Sequence, residues 1–219
     1  MRGLYAITPT TLDTRRLIEQ VSLAIAGGAS AVQYRAKQLA KDIAKTQAQA
    51  LRAVTRATGT TFIINDDSEL AMAVGADGVH LGRDDGGVDV IPRLREICAD
   101  RLPHLPFIIG VSCYNELSRA ETAVVAGADY IAFGSFFASS TKPNAVRADM
   151  ALIHAAKTRF TIPVVAIGGI TVENAPQLIA ANVDAVAVIS SLFDASDIER
   201  RAREFTHFFK LKNHVELYQ

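Results

Sequence analysis

The 219-residue chain has no excess charge of either sign: 23 Lys and Arg balance 23 Asp and Glu. It contains no long basic run, which argues against a nucleic-acid-binding protein. Cysteine is scarce. Cys98 and Cys113 are too far apart for a compact metal motif, and two free thiols in a reducing compartment is the plain reading. No apolar run reaches the length of a membrane span. The opening Met1-Arg2-Gly3-Leu4-Tyr5-Ala6-Ile7-Thr8-Pro9 lacks the apolar segment of a secretory signal. A cytoplasmic location is the expectation. No linker or composition shift marks a boundary, so one domain over 1–219 is expected, with about 213–219 as a loose tail.

What the sequence does contain is a repeat. Gly28-Ala29-Ser30-Ala31-Val32, Gly75-Ala76-Asp77-Gly78-Val79, Gly127-Ala128-Asp129-Tyr130-Ile131 and Asn182-Val183-Asp184-Ala185-Val186 resemble one another. Each follows an amphipathic helical pattern and leads into a short apolar run. Gly or Asn ends the helix, since either tolerates the left-handed conformation required there. The apolar run reads as a buried strand. Ala29, Ala76, Ala128 and Val183 lie 47, 52 and 55 positions apart. One strand, one helix and their loops need roughly 25 residues, so each interval should hold a second such unit. Thr61–Asn65, Phe107–Val111 and Pro163–Ile167 supply the strands, and Leu4–Ile7 opens the chain.

Eight β-branched strands alternating with helices predict a parallel sheet closed into a (β/α)8 TIM barrel. The rival is an open doubly wound sheet. Its usual Gly-x-Gly-x-x-Gly turn after the first strand is absent, because Ile7 is followed by Thr8-Pro9-Thr10.

A barrel of this kind works at the C-terminal ends of its strands. That rule selects Gln33, Arg35 and Lys37 after strand two, and Asn65, Asp66 and Asp67 after strand three. Strand four gives His80, Arg83, Asp84 and Asp85, and strand five Ser112. Strand six gives Ser135, Ser139, Thr141 and Lys142, strand seven Gly168 and Gly169, and strand eight Ser190 and Ser191. The set lacks a cysteine nucleophile with a base and a histidine cluster for zinc. Its cations and hard carboxylate oxygens suit a magnesium pyrophosphate: magnesium takes one or two carboxylates and completes its octahedron with water and phosphate oxygens. Arginine offers phosphate a planar fork, lysine a point charge. Alternation points Gln33, Arg35 and Lys37 the same way, against the bland reading of solvated charges. Asp67 reads as a helix cap. Asp66 and Asp85 could be plain loop carboxylates, but two carboxylates converging beside cations favour a metal. Gly168-Gly169 after strand seven is a phosphate-site candidate. His80 reads as a satisfied strand-end histidine rather than a ligand.

At these positions the chain resembles the thiamine-phosphate synthases, also called thiamine-phosphate pyrophosphorylases. The resemblance rests on Gln33-Tyr34-Arg35-Ala36-Lys37, Ile64-Asn65-Asp66-Asp67, Gly78 to Asp85, Gly110-Val111-Ser112, Gly127-Ala128-Asp129-Tyr130 with Thr141-Lys142, Ala166 to Ile170, and Val188-Ile189-Ser190. Seven short matches in register are specific where any one is weak. The resemblance implies coupling of 4-amino-5-hydroxymethyl-2-methylpyrimidine diphosphate to hydroxyethylthiazole phosphate, with pyrophosphate released. It implies that Gln33, Arg35, Lys37, Asn65, Ser112 and Lys142 hold the pyrimidine diphosphate, with Arg35, Lys37, Lys142 and Ser112 as the catalytic group. Asp66 and Asp85 would hold Mg2+. Ser139 and Thr141 would line the substrates, and Gly168, Ile189 and Ser190 would bind the thiazole phosphate.

The implied partners are two small-molecule substrates, with a homo-oligomer left open and neither nucleic acid nor membrane involved. The chain departs from the family pattern at Ala138-Ser139, where Pro-Thr is usual, at Arg83, where Gln is common, and at Ile7-Thr8-Pro9, where Val-Thr-Asp is usual. Two other readings remain: a thiazole tautomerase-like isomerase, and a non-catalytic barrel that binds a phosphorylated ligand. The isomerase would not need Arg35, Lys37, Asp66 and Asp85 together.

Overall fold

The computed structural model describes residues 1–82, 87–101, 106–138 and 146–216, with side chains as far as Lys212. Strands and helices alternate along it: β1 Gly3–Ile7, α1 Thr14–Ala26, β2 Ala31–Tyr34, α2 Lys41–Thr58, β3 Thr61–Asn65, α3 Ser68–Val74, β4 Gly78–Leu81 and α4 Ile91–Arg101. They continue as β5 Ile108–Tyr114, α5 Leu117–Ala126, β6 Tyr130–Phe133, α6 Met150–Arg159, β7 Val164–Ile167, α7 Ala175–Ala180, β8 Ala185–Val188, α8 Ser190–Phe193 and α9 Ile198–Glu216. All neighbouring strands pair in parallel, and β8 pairs with β1 to close the eight-stranded barrel. The expected (β/α)8 fold is the one observed. The tail differs from expectation. Asn213 to Glu216 continue α9, where no Gly or Pro intervenes to stop a helix, and only 217–219 lie outside the described residues.

The repeat has a structural cause. Gly28, Gly75, Gly127 and Asn182 all have positive φ, at 99°, 64°, 101° and 74°. The next residue in each copy donates its N–H to the carbonyl five positions earlier: Ala29 to Ala24, Ala76 to Ala71, Ala128 to Ala123 and Val183 to Leu178. That is the six-to-one bond of a helix ended by a left-handed residue. The third position then ties the new strand to the preceding one. The carboxylate of Asp77 accepts from Phe62 N at 2.7 Å, Asp129 from Ile109 N at 2.6 Å and Asp184 from Val164 N at 2.8 Å.

Each carboxylate also takes a cation from the helix that precedes the strand it fastens: Arg52 of α2 on Asp77, Arg95 of α4 on Asp129 and Lys157 of α6 on Asp184. Ser30 fills this position in the first copy, where its N–H and hydroxyl both reach Leu4 O. The chain is therefore four strand pairs, each fastened at its N-terminal edge.

Strand residues are buried on both faces, which explains their unbroken apolar runs. Leu4, Ala6, Val32, Phe62, Ile64, Val79, Ile109 and Val111 face the helices. Tyr5, Ile7, Ala31, Ile63, Tyr130, Ala132, Val165, Ala185 and Ala187 fill the barrel. The interior is not wholly apolar. Gln33 Nε2 donates to Tyr5 Oη at 2.7 Å, and Tyr5 Oη lies 2.9 Å from Tyr130 Oη. Tyr130 Oη lies 2.9 Å from His80 Nδ1, and His80 Nε2 is 2.9 Å from Ser112 Oγ. Gly110 makes room for this chain: a Cβ there would lie 1.9 Å from the Tyr130 ring. His80 and Tyr130 rings stack at 5.5 Å. Burial pulls His80 down to about 4, against the pull of Asp66 upward, and pushes both tyrosines above their usual range. His80 is thus a satisfied, neutral strand-end histidine.

Two outcomes follow. Asp184 is only 15 % exposed at its side chain and serves both Val164 N and Lys157, so Asp184→Ala should lower unfolding free energy by roughly 2–4 kcal/mol. Asp129→Ala, at 45 % exposure, should lose less. Denaturant titration of both checks the order, and equal losses would refute it. In the unfolded chain His80 binds a proton near 6.5, whereas in the fold it stays neutral down to about 4. Between those values the unfolded state holds more protons, so stability falls as pH falls through that window and is unaffected by this group above it. Denaturation curves from pH 7 to 4 should show a slope that is reduced by one proton in His80→Gln; an unchanged slope removes His80 as its source.

Candidate active site

The C-terminal ends of β2, β3 and β4 bring one polar group together. Asp66 sits just past β3 with φ at +66°, a left-handed position that Asp tolerates better than most residues. Its N–H is fixed by His80 O at 2.8 Å, and its Oδ1 accepts from Gly82 N at 3.2 Å. Lys37 Nζ lies 3.3 Å from Oδ2, which also accepts from the Asn65 amide. Asp66 is 17 % exposed and Lys37 46 %. The carboxylate is therefore presented at the mouth, with a half-exposed cation beside it.

Asp67 turns away from this group and caps α3, accepting from Leu70 N at 2.8 Å, as expected of a cap. Arg35 is oriented through its backbone, whose N–H reaches the buried Thr8 Oγ1 at 3.0 Å, while Thr8 N bonds Gln33 O. The Thr8-Pro9-Thr10 turn thus fastens β1 to the end of β2. The Arg35 guanidinium contacts no described acceptor and is part-exposed.

A second feature lies across the barrel, since β7 stands four strands from β3 in the closed order. Gly168 and Gly169 follow β7 with φ at 101° and 63°. A Cβ on Gly168 would lie 2.1 Å from Ser135 Oγ, and one on Gly169 2.2 Å from Ala138 O. Only glycine permits this approach of the β6 loop, which is held by Phe136 N and Phe137 N donating to Ile167 O and Gly168 O. Asn174 fixes the far side by donating to Gly169 O at 3.0 Å and accepting from Thr171 N. Gly168, Gly169, Ile189, Ser190 and Ser191 line a cavity of about 390 Å3. The N–H groups of Gly169, Ser190 and Ser191 donate to no described residue, so they are available to an anion.

Gln33 and Ser112 are brought to the same mouth from inside. Gln33 is 2 % exposed, and its side-chain Oε1 has no partner among the described residues. Ser112 is held by His80, and its carbonyl by Arg119 Nε at 2.9 Å. The structure thus gathers Gln33, Lys37, Asn65, Asp66 and Ser112 on one side and Gly168, Ile189 and Ser190 on the other. Arg83, Asp84, Asp85, Ser139, Thr141 and Lys142 lie outside the described residues. Among the described residues no three of His, Cys, Asp or Glu cluster as a metal site. Sequence reasoning missed Tyr5 and Tyr130, which carry the hydrogen-bonded chain between Gln33 and Ser112. Their signal was a polar atom at an inward strand position, and it needs the register across five strands.

The thiamine monophosphate synthase family model matches residues 4–192. The thiamine-phosphate synthase of Methylobacillus flagellatus is 50 % identical over 209 residues, covering 95 % of this chain and 96 % of that protein. That of Thiobacillus denitrificans is also 50 % identical, covering 94 % of each. Among solved structures, the thiamine phosphate pyrophosphorylase from Pyrococcus furiosus superposes with a TM-score of 0.82 at 35 % identity, covering 95 % of this chain and 96 % of that one. Matched over nearly its whole length, this chain belongs to the thiamine monophosphate synthase family.

Proposed function

We propose that this chain is a cytoplasmic transferase that couples 4-amino-5-hydroxymethyl-2-methylpyrimidine diphosphate to hydroxyethylthiazole phosphate, giving thiamine phosphate and pyrophosphate. The observation that supports it best is two anion-accepting features facing each other across one mouth: Lys37 with Asn65 and Asp66 at β2 and β3, and open N–H groups around Gly169 and Ser190 at β7 and β8. The first suits a diphosphate with a metal, the second a monophosphate.

In this reading the amino group of the pyrimidine pushes electrons toward the ring methylene as its C–O bond breaks. The electron pair leaves with pyrophosphate, and the thiazole nitrogen lone pair forms the new C–N bond. That nitrogen carries no proton, so no base is needed. This agrees with an interior histidine that is neutral and bonded through both ring nitrogens. Arg35, Lys37 and Lys142 would meet the charge growing on the leaving group, which is binding that strengthens toward the transition state. Gly168, Ile189 and Ser190 would hold the thiazole phosphate and set the approach of the nitrogen.

Asp66 fits one arm of a magnesium site, as a hard, part-exposed carboxylate fixed through its backbone, and Asp85 would be the second arm. Bound magnesium would neutralise pyrophosphate oxygens. Lys37, now on Asp66, would be free to pair with those oxygens. An isomerase would need a proton-transfer group open to ligand, and a passive phosphate binder would not need the diphosphate side of the mouth.

The deciding experiment supplies both substrates, with and without magnesium, and follows pyrophosphate and thiamine phosphate together. Equal release of both products only with magnesium is expected; no product from the pair would sink the proposal. Asp66→Asn and Asp85→Asn should each lower kcat by about a hundredfold or more with little change in melting temperature. Near-normal rates at limiting magnesium would remove the altered residue from the ligand set. Gly169→Ala forces a side chain against Ala138 O at positive φ, so it should raise the KM for thiazole phosphate by about tenfold or more while the KM for the pyrimidine diphosphate stays within about twofold. A rise confined to the pyrimidine substrate would place the monophosphate elsewhere.

A further inference from the structure

Five residues on five strands form one continuous hydrogen-bonded chain: Gln33 on β2, Tyr5 on β1, Tyr130 on β6, His80 on β4 and Ser112 on β5. Gln33, Tyr5, Tyr130 and His80 are buried and Ser112 is half-buried; the two ends, Gln33 and Ser112, lie toward the C-terminal ends of β2 and β5, on the side of the mouth. Each interior hydroxyl has one proton to give, so direction propagates. Gln33 Nε2 donates to Tyr5, so the Tyr5 proton goes to Tyr130. The Tyr130 proton then goes to His80 Nδ1. A neutral imidazole that accepts at Nδ1 carries its proton on Nε2 and donates it to Ser112. The Ser112 proton is left to point outward as a donor, while Gln33 keeps its carbonyl outward as an acceptor.

Reversing one bond reverses all of them. If Ser112 donates inward to His80 Nε2, then His80 donates to Tyr130, Tyr130 to Tyr5, and Tyr5 to the Gln33 carbonyl. Ser112 then offers only lone pairs to the mouth, and Gln33 offers its amide N–H groups. In both directions one end donates and the other accepts. Breaking this rule would leave two donors or two acceptors face to face in the barrel interior, where an unmade bond is expensive.

We infer that Tyr5, Tyr130 and His80 are positioning residues that couple the hydrogen-bonding sense of Gln33 to that of Ser112, so that the mouth selects a ligand edge carrying one donor and one acceptor. An amino group beside a ring nitrogen has that pattern. A phosphate, which wants donors at both ends, does not. The inference rests on the proposed placement of the pyrimidine substrate against Gln33 and Ser112, and assigns those two residues to its ring rather than to its diphosphate. It also orients the ring, because turning it over would exchange donor and acceptor and require the whole chain to reverse.

The test is a double-mutant cycle between residues that do not touch. Tyr130→Phe removes one oxygen at the centre of the chain and keeps the ring that packs against Gly110. It should lower kcat/KM for the pyrimidine diphosphate by about tenfold with the KM for thiazole phosphate unchanged. In a Ser112→Ala background the same change should have less than about a twofold effect, because the coupled end is already gone. Tyr5→Phe serves as the second variant and should behave alike, one link further from Ser112. Nitrogen-15 spectra give an independent signal: His80 should adopt one neutral tautomer when the pyrimidine diphosphate binds, and a mixture in Tyr130→Phe. Effects of Tyr130→Phe and Tyr5→Phe that simply multiply with that of Ser112→Ala, in proteins that melt normally, would overturn the coupling. If Gln33→Ala and Ser112→Ala themselves leave the pyrimidine kinetics untouched, the placement of the substrate is wrong and the inference falls with it.

Discussion

A carboxylate beneath each of three strand pairs holds the barrel in register. Asp77, Asp129 and Asp184 each take the first free N–H of the strand before them and a cation from the helical layer. Parallel strands cannot be joined by a tight hairpin, so their relative height must be fixed by something other than a turn. Here the fixing is done at the end of the barrel that carries no chemistry, the division of labour expected of this architecture. Register then decides which side chains point inward, because alternation leaves no freedom once one pairing is set. The inward positions of Gln33 and Ser112 toward the mouth, and of Tyr130 and His80 in the interior beneath them, are consequences of bonds made at the N-terminal rim.

The interior that results is packed by subtraction as much as by filling. Tyr130 can cross the barrel toward Tyr5 and His80 only because β5 has no side chain at Gly110. A similar relation recurs at the mouth, where Gly168 and Gly169 let the β6 loop lie on the β7 turn. In the first case the missing side chain gives space to a phenol and so admits polar atoms to the core. In the second it brings two loops together and leaves N–H groups facing a cavity. A buried hydroxyl needs a partner, so admitting one tyrosine oxygen required the rest of the chain from Gln33 to Ser112.

Much of this was legible in the sequence. The repeat of Gly or Asn before a short apolar run located four helix ends, and the left-handed backbone at Gly28, Gly75, Gly127 and Asn182 is the reason it could. The strand Thr61–Asn65 was read at its observed limits, because its burial leaves an unbroken apolar run. The role of Asp67 as a cap was legible because its partner is three residues away. Asp129 and Asp184 were seen only as parts of a motif, since their partners lie 20 positions back on another strand. The polar chain was illegible for the same reason at larger scale: Tyr5 and Tyr130 are 125 positions apart. The end of α9 is not legible in the sequence, because a polar stretch without Gly or Pro suits a tail and a helix alike.

The two halves of the mouth suit different tasks because they are built from different atoms. At β2 and β3, side chains supply full charges on long or part-exposed stems, which can follow a leaving group as its charge grows and moves. At β7 and β8, backbone N–H groups held by Asn174 and by the β6 loop supply small fixed dipoles. Fixed dipoles suit a phosphate that takes no part in bond breaking and must only be held still. Between them lies the neutral chain of Tyr5, Tyr130 and His80, whose burial keeps it uncharged. A charge there would compete with both halves for the same substrates. A neutral floor leaves the field at the mouth to the cations on one side and the dipoles on the other, and confines its own contribution to direction.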